Sequence, residues 1–148
     1  MKTKIFEITC PGCQSTWAIQ APALVNGELE KGIKQKILQE AFFNRKCSNC
    51  GNIIKFYYPF VYQDPKHKVL ITIDIDDVQM DDYRLYAVKN EPELIELIKI
   101  LDDDEMLEHI NLIKEKLVYK YCYYNGKDKE YYFFETDKGL IAIQRKQV

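Results

Sequence analysis

The stretch "ITCPGCQSTWAI", residues 8–19, sets two cysteines two residues apart with Pro11 and Gly12 between them. Proline and glycine at these places favour a tight turn, which would bring the two sulfurs to the same side of the chain. Such a pair is typical of a redox dithiol, a disulfide corner or half of a metal site. The rest of the chain has to distinguish these three.

A second pair with the same spacing follows in "CSNCG", residues 47–51. Four thiolates form the tetrahedral sulfur set of structural zinc, which leaves no open position for water or substrate. Gly51, directly after the second pair, allows the backbone to bend back under a metal. The sequence therefore predicts one structural Zn²⁺ ion, held by Cys10, Cys13, Cys47 and Cys50.

Other interpretations of the cysteines stay open at this stage. A thioredoxin-like dithiol opens a helix at its first cysteine, whereas Cys13 is followed by residues 14–19, which have the pattern of a strand. The alternatives are an iron or iron–sulfur site, a redox or disulfide pair, and buried thiols without metal. Cys122 stands apart and is interpreted as a core thiol. Its use in cysteine–histidine catalysis is an alternative, because such sites assemble in space.

The composition predicts a soluble globular protein. The chain has 148 residues, of which 47% are hydrophobic and 13% aromatic, enough for one domain or two small ones. Its N-terminal apolar stretch is too short and broken for a signal peptide, and no run approaches the ~20 apolar residues of a membrane span. We therefore expect a cytoplasmic protein without membrane contacts, where paired cysteines are more often metal ligands or catalytic thiols than disulfides.

Charge is unevenly distributed along the chain, although the formal net charge is only −2. Residues 1–73 carry ten Lys and Arg against five Asp and Glu, residues 74–108 carry three against thirteen, and residues 109–148 carry eight against five. The acidic middle argues against a nucleic-acid footprint over the whole molecule. The N-terminal part is left as a mildly basic surface, on which the candidate contacts are Lys34, Lys36, Arg45, Lys46 and Lys55.

The N-terminal lobe is expected to be a zinc-ribbon-like antiparallel β structure with an inserted helix. Leu29, Ile33, Ile37 and Ala41 lie four residues apart, which predicts an amphipathic helix over 28–43. Strands are predicted at 3–9, 17–21, 53–58, 68–75 and 83–88, with "PFVYQDPKH", residues 59–67, as a linker.

The C-terminal lobe is expected to hold a pair of helices packed on a β meander. Asn90 with Glu93, and Asp102 with Glu105, have the spacing of capping boxes that start the two helices. Strands are predicted at 119–124, 130–135 and 140–144, with turns at 125–126 and 138–139. These patterns predict an α+β fold with lobes at 1–77 and 78–148, which pack as two domains or as one.

The segments around the cysteines resemble the CpXC domain family of small uncharacterised bacterial and archaeal proteins. The resemblance covers most of residues 9–116. The matching segments are "CPGC" (10–13), "KQKILQEAFFNRKCSNCG" (34–51), "PFVYQDPKHKVLI" (59–71), residues 84–88, "ELIELIKIL" (93–101) and "DDDEMLEHINLIK" (102–114). The resemblance implies that the four paired cysteines bind one metal, and it implies no biochemical activity.

Two residues depart from the family pattern. Gln14 stands where ribbon knuckles often have glycine, so the first turn is expected to be wider than the second. Ser48 stands where proline is common, which leaves the ligands unchanged.

Acidic side chains lie at the end of the predicted strand 68–75 and after it, at Asp74, Asp76, Asp77, Asp81 and Asp82. Two carboxylates on one strand face are able to bind a divalent cation, but the spacing matches no EF-hand loop. A solvated acidic edge that discourages strand pairing is the favoured interpretation. His67 and His109 have no recognisable catalytic spacing and are assigned structural or surface roles.

Eight Tyr and Phe residues, with lysines among them, occupy residues 119–134. Such rings fill hydrophobic cores, and they also stack on nucleic-acid bases. Adjacent residues of a strand point to opposite faces, so this segment is predicted to present an outward aromatic patch as well. The candidate interface residues are Tyr121, Tyr123, Tyr124, Tyr131 and Tyr132.

Function is predicted from the closed sulfur set and from the lack of a recognisable catalytic set. The leading hypothesis is a non-enzymatic zinc-binding protein that acts as a protein–protein interaction module. The alternative is a nucleic-acid-binding zinc ribbon that uses the basic N-terminal lobe. An enzyme is the third hypothesis, and no residues are assigned to it.

Overall fold

The computed structural model describes residues 2–75, 78 and 80–147 and shows a mixed α+β fold. The chain forms two units, Met1–Glu91 (unit 1) and Pro92–Val148 (unit 2). Asp76 and the predicted lobe boundary at Asp77 lie outside the described residues. In chain order the elements are β1 (Lys2–Thr9), β2 (Thr16–Asn26), α1 (Lys31–Leu38), β3 (Asn44–Lys46), β4 (Ile53–Lys55), β5 (Phe60–Asp64), β6 (Val69–Ile73), β7 (Arg84–Val88), α2 (Glu91–Asp102), α3 (Leu107–Glu115), β8 (Cys122–Lys127), β9 (Tyr131–Thr136) and β10 (Gly139–Gln144).

Unit 1 contains a five-stranded sheet in the order β1-β2-β5-β6-β7 and a separate hairpin of β3 and β4. The β1/β2 and β5/β6 pairs are antiparallel, but β2/β5 and β6/β7 are parallel. The sheet is therefore mixed, which corrects the predicted antiparallel lobe. The physical reason is the long segment between β2 and β5, which includes α1 and returns the chain in the same direction, as parallel pairs require.

The core of unit 1 is centred on β6, where all five residues are buried. A strand buried on both faces has a continuous apolar run without alternation. Strand β5 lies in the segment that the sequence predicts to be a linker, and its first three residues are also buried. An aromatic cluster lies beside these strands, with the Phe43 ring centroid 5.5 Å from that of Phe60 and the Tyr58 centroid 6.0 Å from Phe60.

Helix α1 is shorter than predicted at both ends. The Asn26 Oδ1 atom accepts hydrogen bonds from the backbone N–H groups of Glu28 and Leu29, at 3.0 and 3.1 Å, which form a turn there instead of helix. Leu29 is consequently 80% exposed, whereas it was expected on the apolar face. Ile37 is buried as expected, and the positive φ of Glu40 follows the helix end.

Unit 2 packs its two helices on the three-stranded sheet β10-β9-β8, as the sequence predicted. Both neighbouring pairs in this sheet are antiparallel. The buried cluster takes residues from both helices and from two of the strands, namely Ile100, Ile110, Ile113, Tyr124, Tyr132 and Phe134.

The predicted capping box of α3 is wrong. The helix begins at Leu107 after Met106, and no side-chain hydrogen bond caps it. Asp102 instead ends α2, and the Glu105 carboxylate accepts hydrogen bonds from Tyr132 at 2.6 Å and from Lys127 at 3.1 Å. The loop that joins the helices is thus attached to the sheet, because its carboxylates have phenol and ammonium donors within reach.

The predicted turn at residues 125–126 is also wrong. Gly126 lies within β8 and pairs with Phe133, and the register shifts between Tyr124 and Gly126 as in a β-bulge. The chain reverses instead at Asp128, whose Oδ1 atom accepts hydrogen bonds from the backbone N–H groups of Glu130 and Tyr131. An Asx turn at the strand end has replaced the Asn-Gly turn.

We expect Glu105 to make the stability of unit 2 sensitive to acid. Burial raises the pKa of Glu105, but hydrogen bonds from Tyr132 and Lys127 together hold it below its usual range. A carboxyl group with a lowered folded-state pKa contributes stability above its unfolded pKa of about 4.3, and that contribution is lost as the pH falls through the folded-state value. Urea midpoints from pH 7 to 3 should therefore show a Glu105→Gln penalty that shrinks in acid, with the exposed Glu108→Gln as control. A penalty independent of pH would contradict this.

Candidate metal centre

The first cysteine pair forms a tight turn, knuckle 1 (residues 10–15), between β1 and β2. The backbone N–H of Gln14 donates to the Cys10 carbonyl at 2.9 Å, and the backbone N–H of Cys10 donates to the Ser15 carbonyl at 2.9 Å. The two bonds close the turn, so Cys10 and Cys13 emerge on the same side of it.

The second pair repeats this arrangement in knuckle 2 (residues 47–52), between β3 and β4. The backbone N–H of Gly51 donates to the Cys47 carbonyl at 2.9 Å, and the backbone N–H of Cys47 donates to the Asn52 carbonyl at 2.8 Å. Each bond has its counterpart at the equivalent position of knuckle 1. The expectation of a wider first turn is therefore wrong.

The residue after each second cysteine has a left-handed backbone, with φ of 64° at Gln14 and 80° at Gly51. Glycine adopts this region without steric strain, whereas in other L-residues the Cβ atom makes it unfavourable. The turn requires this backbone conformation at Gln14 although it is strained there. The Gln14 side-chain Nε2 donates a hydrogen bond to the Pro11 carbonyl at 3.3 Å. The sequence departure at this position changes the energy of the turn but not its shape.

We expect substitutions at Gly51 and Gln14 to change the stability of the protein in opposite directions. Gly51→Ala should destabilise the protein by roughly 1–2 kcal/mol, the cost of a left-handed L-residue. Gln14→Gly should stabilise it by up to ~1 kcal/mol, since relief of strain exceeds the added chain entropy. Urea unfolding followed by Trp17 fluorescence would measure both. Destabilisation by both substitutions would contradict the shared geometry.

The two knuckles bring the four sulfurs together. All four Sγ atoms lie within 4.8 Å of one another, with Cys10 and Cys50 at 3.6 Å and Cys13 and Cys47 also at 3.6 Å. A Zn–S distance of about 2.3 Å in a tetrahedron places sulfurs about 3.8 Å apart. The cysteines are free, and the separations far exceed the S–S bond of about 2.05 Å. The residues therefore fit a single tetrahedral metal ion.

Gly12 lies directly against knuckle 2. A Cβ atom at this position would lie 2.5 Å from Asn52 Nδ2, inside any normal contact distance. Glycine between the first two cysteines thus leaves space for the Asn52 side chain of knuckle 2.

The sulfurs differ in their electrostatic surroundings. A side-chain hydrogen bond from Asn49, with further hydrogen bonds from Ser15, lowers the pKa of Cys13 to about 5. The Asn52 backbone N–H lowers the pKa of Cys50, but desolvation and the neighbouring thiols together raise it to about 12. A bound cation must therefore displace a proton from Cys50, so metal affinity should increase with pH. Sequence reasoning missed Asn49 and Ser15, whose only signal was their place beside the cysteines.

Other candidate ligands lie elsewhere. Within residues 2–75, 78 and 80–147, the four cysteines are the one group of three or more Cys, His, Asp or Glu side chains that could hold a metal ion. His67 Nδ1 lies 2.9 Å from Asp64 in the turn between β5 and β6, and His109 stacks edge-on to Tyr132. Of the predicted acidic cluster, Asp74, Asp81 and Asp82 are exposed, and Asp76 and Asp77 lie outside the description.

Cys122 is partly buried and packs against the core cluster of unit 2. Burial raises the pKa of its thiol. Both observations agree with the predicted core role.

The predicted interface tyrosines divide between two faces of the C-terminal sheet. Tyr124 and Tyr132 are buried in the core of unit 2 and donate their hydroxyl groups to Asp103 and Glu105. This burial removes them from any exposed surface. The other three keep solvent contact, and we call them the outer tyrosines: Tyr121, Tyr123 and Tyr131.

Two of the predicted nucleic-acid contacts are held by local partners. Lys55 Nζ lies 2.8 Å from the buried Glu91 carboxylate and 3.0 Å from the Glu40 carbonyl. Arg45 donates to the carbonyls of Phe42 and Asn44. Lys36 and Lys46 are exposed, and Lys34 is partly buried. The basic surface is therefore smaller than its sequence count suggested.

Comparison with known proteins gives a match to a family model. No curated protein and no solved structure matches the chain, and among its described helices none is long and apolar enough to cross a bilayer. The family model described as "CpXC protein" matches residues 8–117, which include all four paired cysteines and end just after α3. The protein is therefore a member of the CpXC family.

Proposed function

We propose that this protein is a non-enzymatic zinc-binding module of the zinc-ribbon type that acts by contacting a partner protein. The observation that carries the metal assignment is the convergence of four cysteine sulfurs within 4.8 Å. An all-sulfur tetrahedron is typical of structural zinc, and it offers no open position for a substrate.

Zinc would supply stability that the local structure lacks. Strands β3 and β4 have three residues each and pair only with one another among the described strands. A two-stranded hairpin of this length is marginal in water. A metal held jointly by both knuckles would link this hairpin to the longer β1–β2 hairpin, in which eight residues of β1 pair with β2. Binding free energy of the metal would thereby become folding free energy.

The outer tyrosines support the proposed partner contact. Tyr121 is 43% exposed, and its ring centroid lies 5.6 Å from that of Tyr123. Tyr131 and Phe133 lie on the same face of β9, with ring centroids 6.4 Å apart. Tyrosine is enriched at protein interfaces because it offers a large apolar ring with a polar tip.

Affinity capture from the native lysate tests the proposal. Zinc content of the purified full chain is measured first by elemental mass spectrometry, with one ion per chain expected. The chain is then compared as bait with a Tyr121→Ser/Tyr131→Ser variant, and an exposed-site Thr3→Ser/Gln20→Asn variant serves as control. We expect at least one protein to be captured by wild type and control but not by the tyrosine variant. Equal capture by all three would refute the surface.

The same purified protein also tests the nucleic-acid alternative. Binding to single-stranded or duplex DNA at low salt, with affinity falling steeply as salt rises, would favour that alternative. We expect no such binding, because Lys55 and Arg45 already bond within the protein.

A further inference from the structure

We propose that hydrogen peroxide releases the zinc through disulfides that cross between the knuckles, Cys10 with Cys50 and Cys13 with Cys47. This inference rests on the proposed zinc centre and adds a redox response to it.

Two sulfur–sulfur contacts that cross between the knuckles favour this pairing. The 3.6 Å contacts join Cys10 to Cys50 and Cys13 to Cys47, so each joins one cysteine of knuckle 1 to one of knuckle 2. Cys50 is exposed and Cys13 half-buried, whereas Cys10 and Cys47 are buried, so each pair has one accessible sulfur whether it crosses between the knuckles or stays within one. An oxidant can therefore reach one member of each pair, and the second member lies next to it.

Cys50 is the first sulfur expected to react. Oxidation of cysteine follows thiolate character together with exposure, and zinc would hold all four sulfurs as thiolates. Cys50 is the most exposed of them. Cys13, the other accessible sulfur, is half-buried, so an oxidant reaches it less readily.

The chemistry balances with peroxide as the named oxidant. The Cys50 thiolate attacks one peroxide oxygen, which breaks the O–O bond; the departing oxygen takes a proton and leaves as water, and Cys50 becomes a sulfenic acid. The Cys10 thiolate then attacks that sulfur, and the hydroxyl leaves with a second proton as another water. Two thiolates are oxidised and one peroxide is reduced to two waters. Only two thiolates then remain to bind zinc, and the ion is released. A second molecule of peroxide oxidises Cys13 and Cys47 to a disulfide in the same way.

A titration of the zinc-loaded full chain with hydrogen peroxide, with the reaction quenched before each measurement, tests this inference. Released zinc is followed with a chromogenic zinc indicator, and samples are alkylated, digested and mapped for disulfide-linked peptides. We expect the Cys10–Cys50 link to appear together with zinc release, and a dithiol reductant with added zinc to restore the site. Cys122→Ser should release zinc as wild type does, whereas Cys50→Ser should slow release at least about tenfold.

The outcomes separate this inference from the proposed function. Chains that lack zinc before peroxide overturn both. Chains that hold one zinc but keep it in excess peroxide, or that form Cys10–Cys13 and Cys47–Cys50 links, overturn the redox inference alone. The wild-type peptide map decides this even if the Cys50 variant fails to bind zinc.

Discussion

Replacing Cys10 or Cys47 by serine is expected to unfold unit 1. Apparent binding free energies for structural zinc in zinc-finger peptides are about 10–16 kcal/mol, comparable with the whole stability of a small domain at about 5–15 kcal/mol. Both residues are buried, so each variant would leave a hydroxyl in place of a buried sulfur beside three thiolates. Loss of the metal would then remove the link between the knuckles.

Trp17 is a built-in reporter of this loss, because it is the chain's one tryptophan and pairs across the hairpin with Ile8, two residues before Cys10. We expect its fluorescence to shift to the red and the near-UV circular dichroism to weaken, with a chelator producing the same change in wild type. Cys122→Ser, which removes a thiol outside the cluster, is the matched control. A Cys10→Ser variant with wild-type spectra would refute the structural role of the metal.

Truncation of Phe134 to alanine is expected to destabilise unit 2 by about 3–5 kcal/mol, as is usual for a fully buried phenylalanine. Phe134 is 0% exposed, and its ring lies 5.9 Å from that of Tyr124 in the core cluster. The cost has two parts, the lost transfer free energy of the ring and the cavity left between helices and sheet. Urea unfolding followed by tyrosine circular dichroism would measure it.

Phe133 offers a matched control one residue away. It lies on the opposite face of β9 and is only half-buried, so Phe133→Ala should cost less than about 1.5 kcal/mol. Equal destabilisation by the two substitutions would contradict the placement of Phe134 in the core and of Phe133 on the outer face of β9. Because Phe133 lies beside Tyr131, the same variant should also weaken capture of a partner through the outer tyrosines.

The family membership and the four metal-binding cysteines could be predicted from the sequence. The CpXC resemblance was confirmed by a match over residues 8–117, and the four predicted ligands converge. Both depend on short spacings, since a C-x2-C segment forms its own turn. The identity of the metal, the partner and the cytoplasmic location stay predictions.

The predictions that were wrong concern segments in which a local sequence preference competes with contacts to residues far away in the chain. The Asn-Gly pair in β8 has strong turn propensity, but the pairing of β8 with β9 places it in a bulge. Asp102 and Glu105 have capping-box spacing, but Tyr132 and Lys127 are better partners for Glu105 than a helix N-terminus. Local preferences of this kind amount to about 1 kcal/mol, which tertiary contacts easily exceed.

By itself, the sequence determined two hairpin turns that each present a pair of thiolates, two amphipathic helices, and a three-stranded meander, because each of these is encoded within a few consecutive residues. Only the tertiary structure decided that Phe60–Asp64 is a strand parallel to β2, that Cys10 lies beside Cys50 and Cys13 beside Cys47, and that Tyr124 and Tyr132 face inward while the outer tyrosines face solvent. These features join residues far apart in the chain, and their energies depend on which surfaces are buried together.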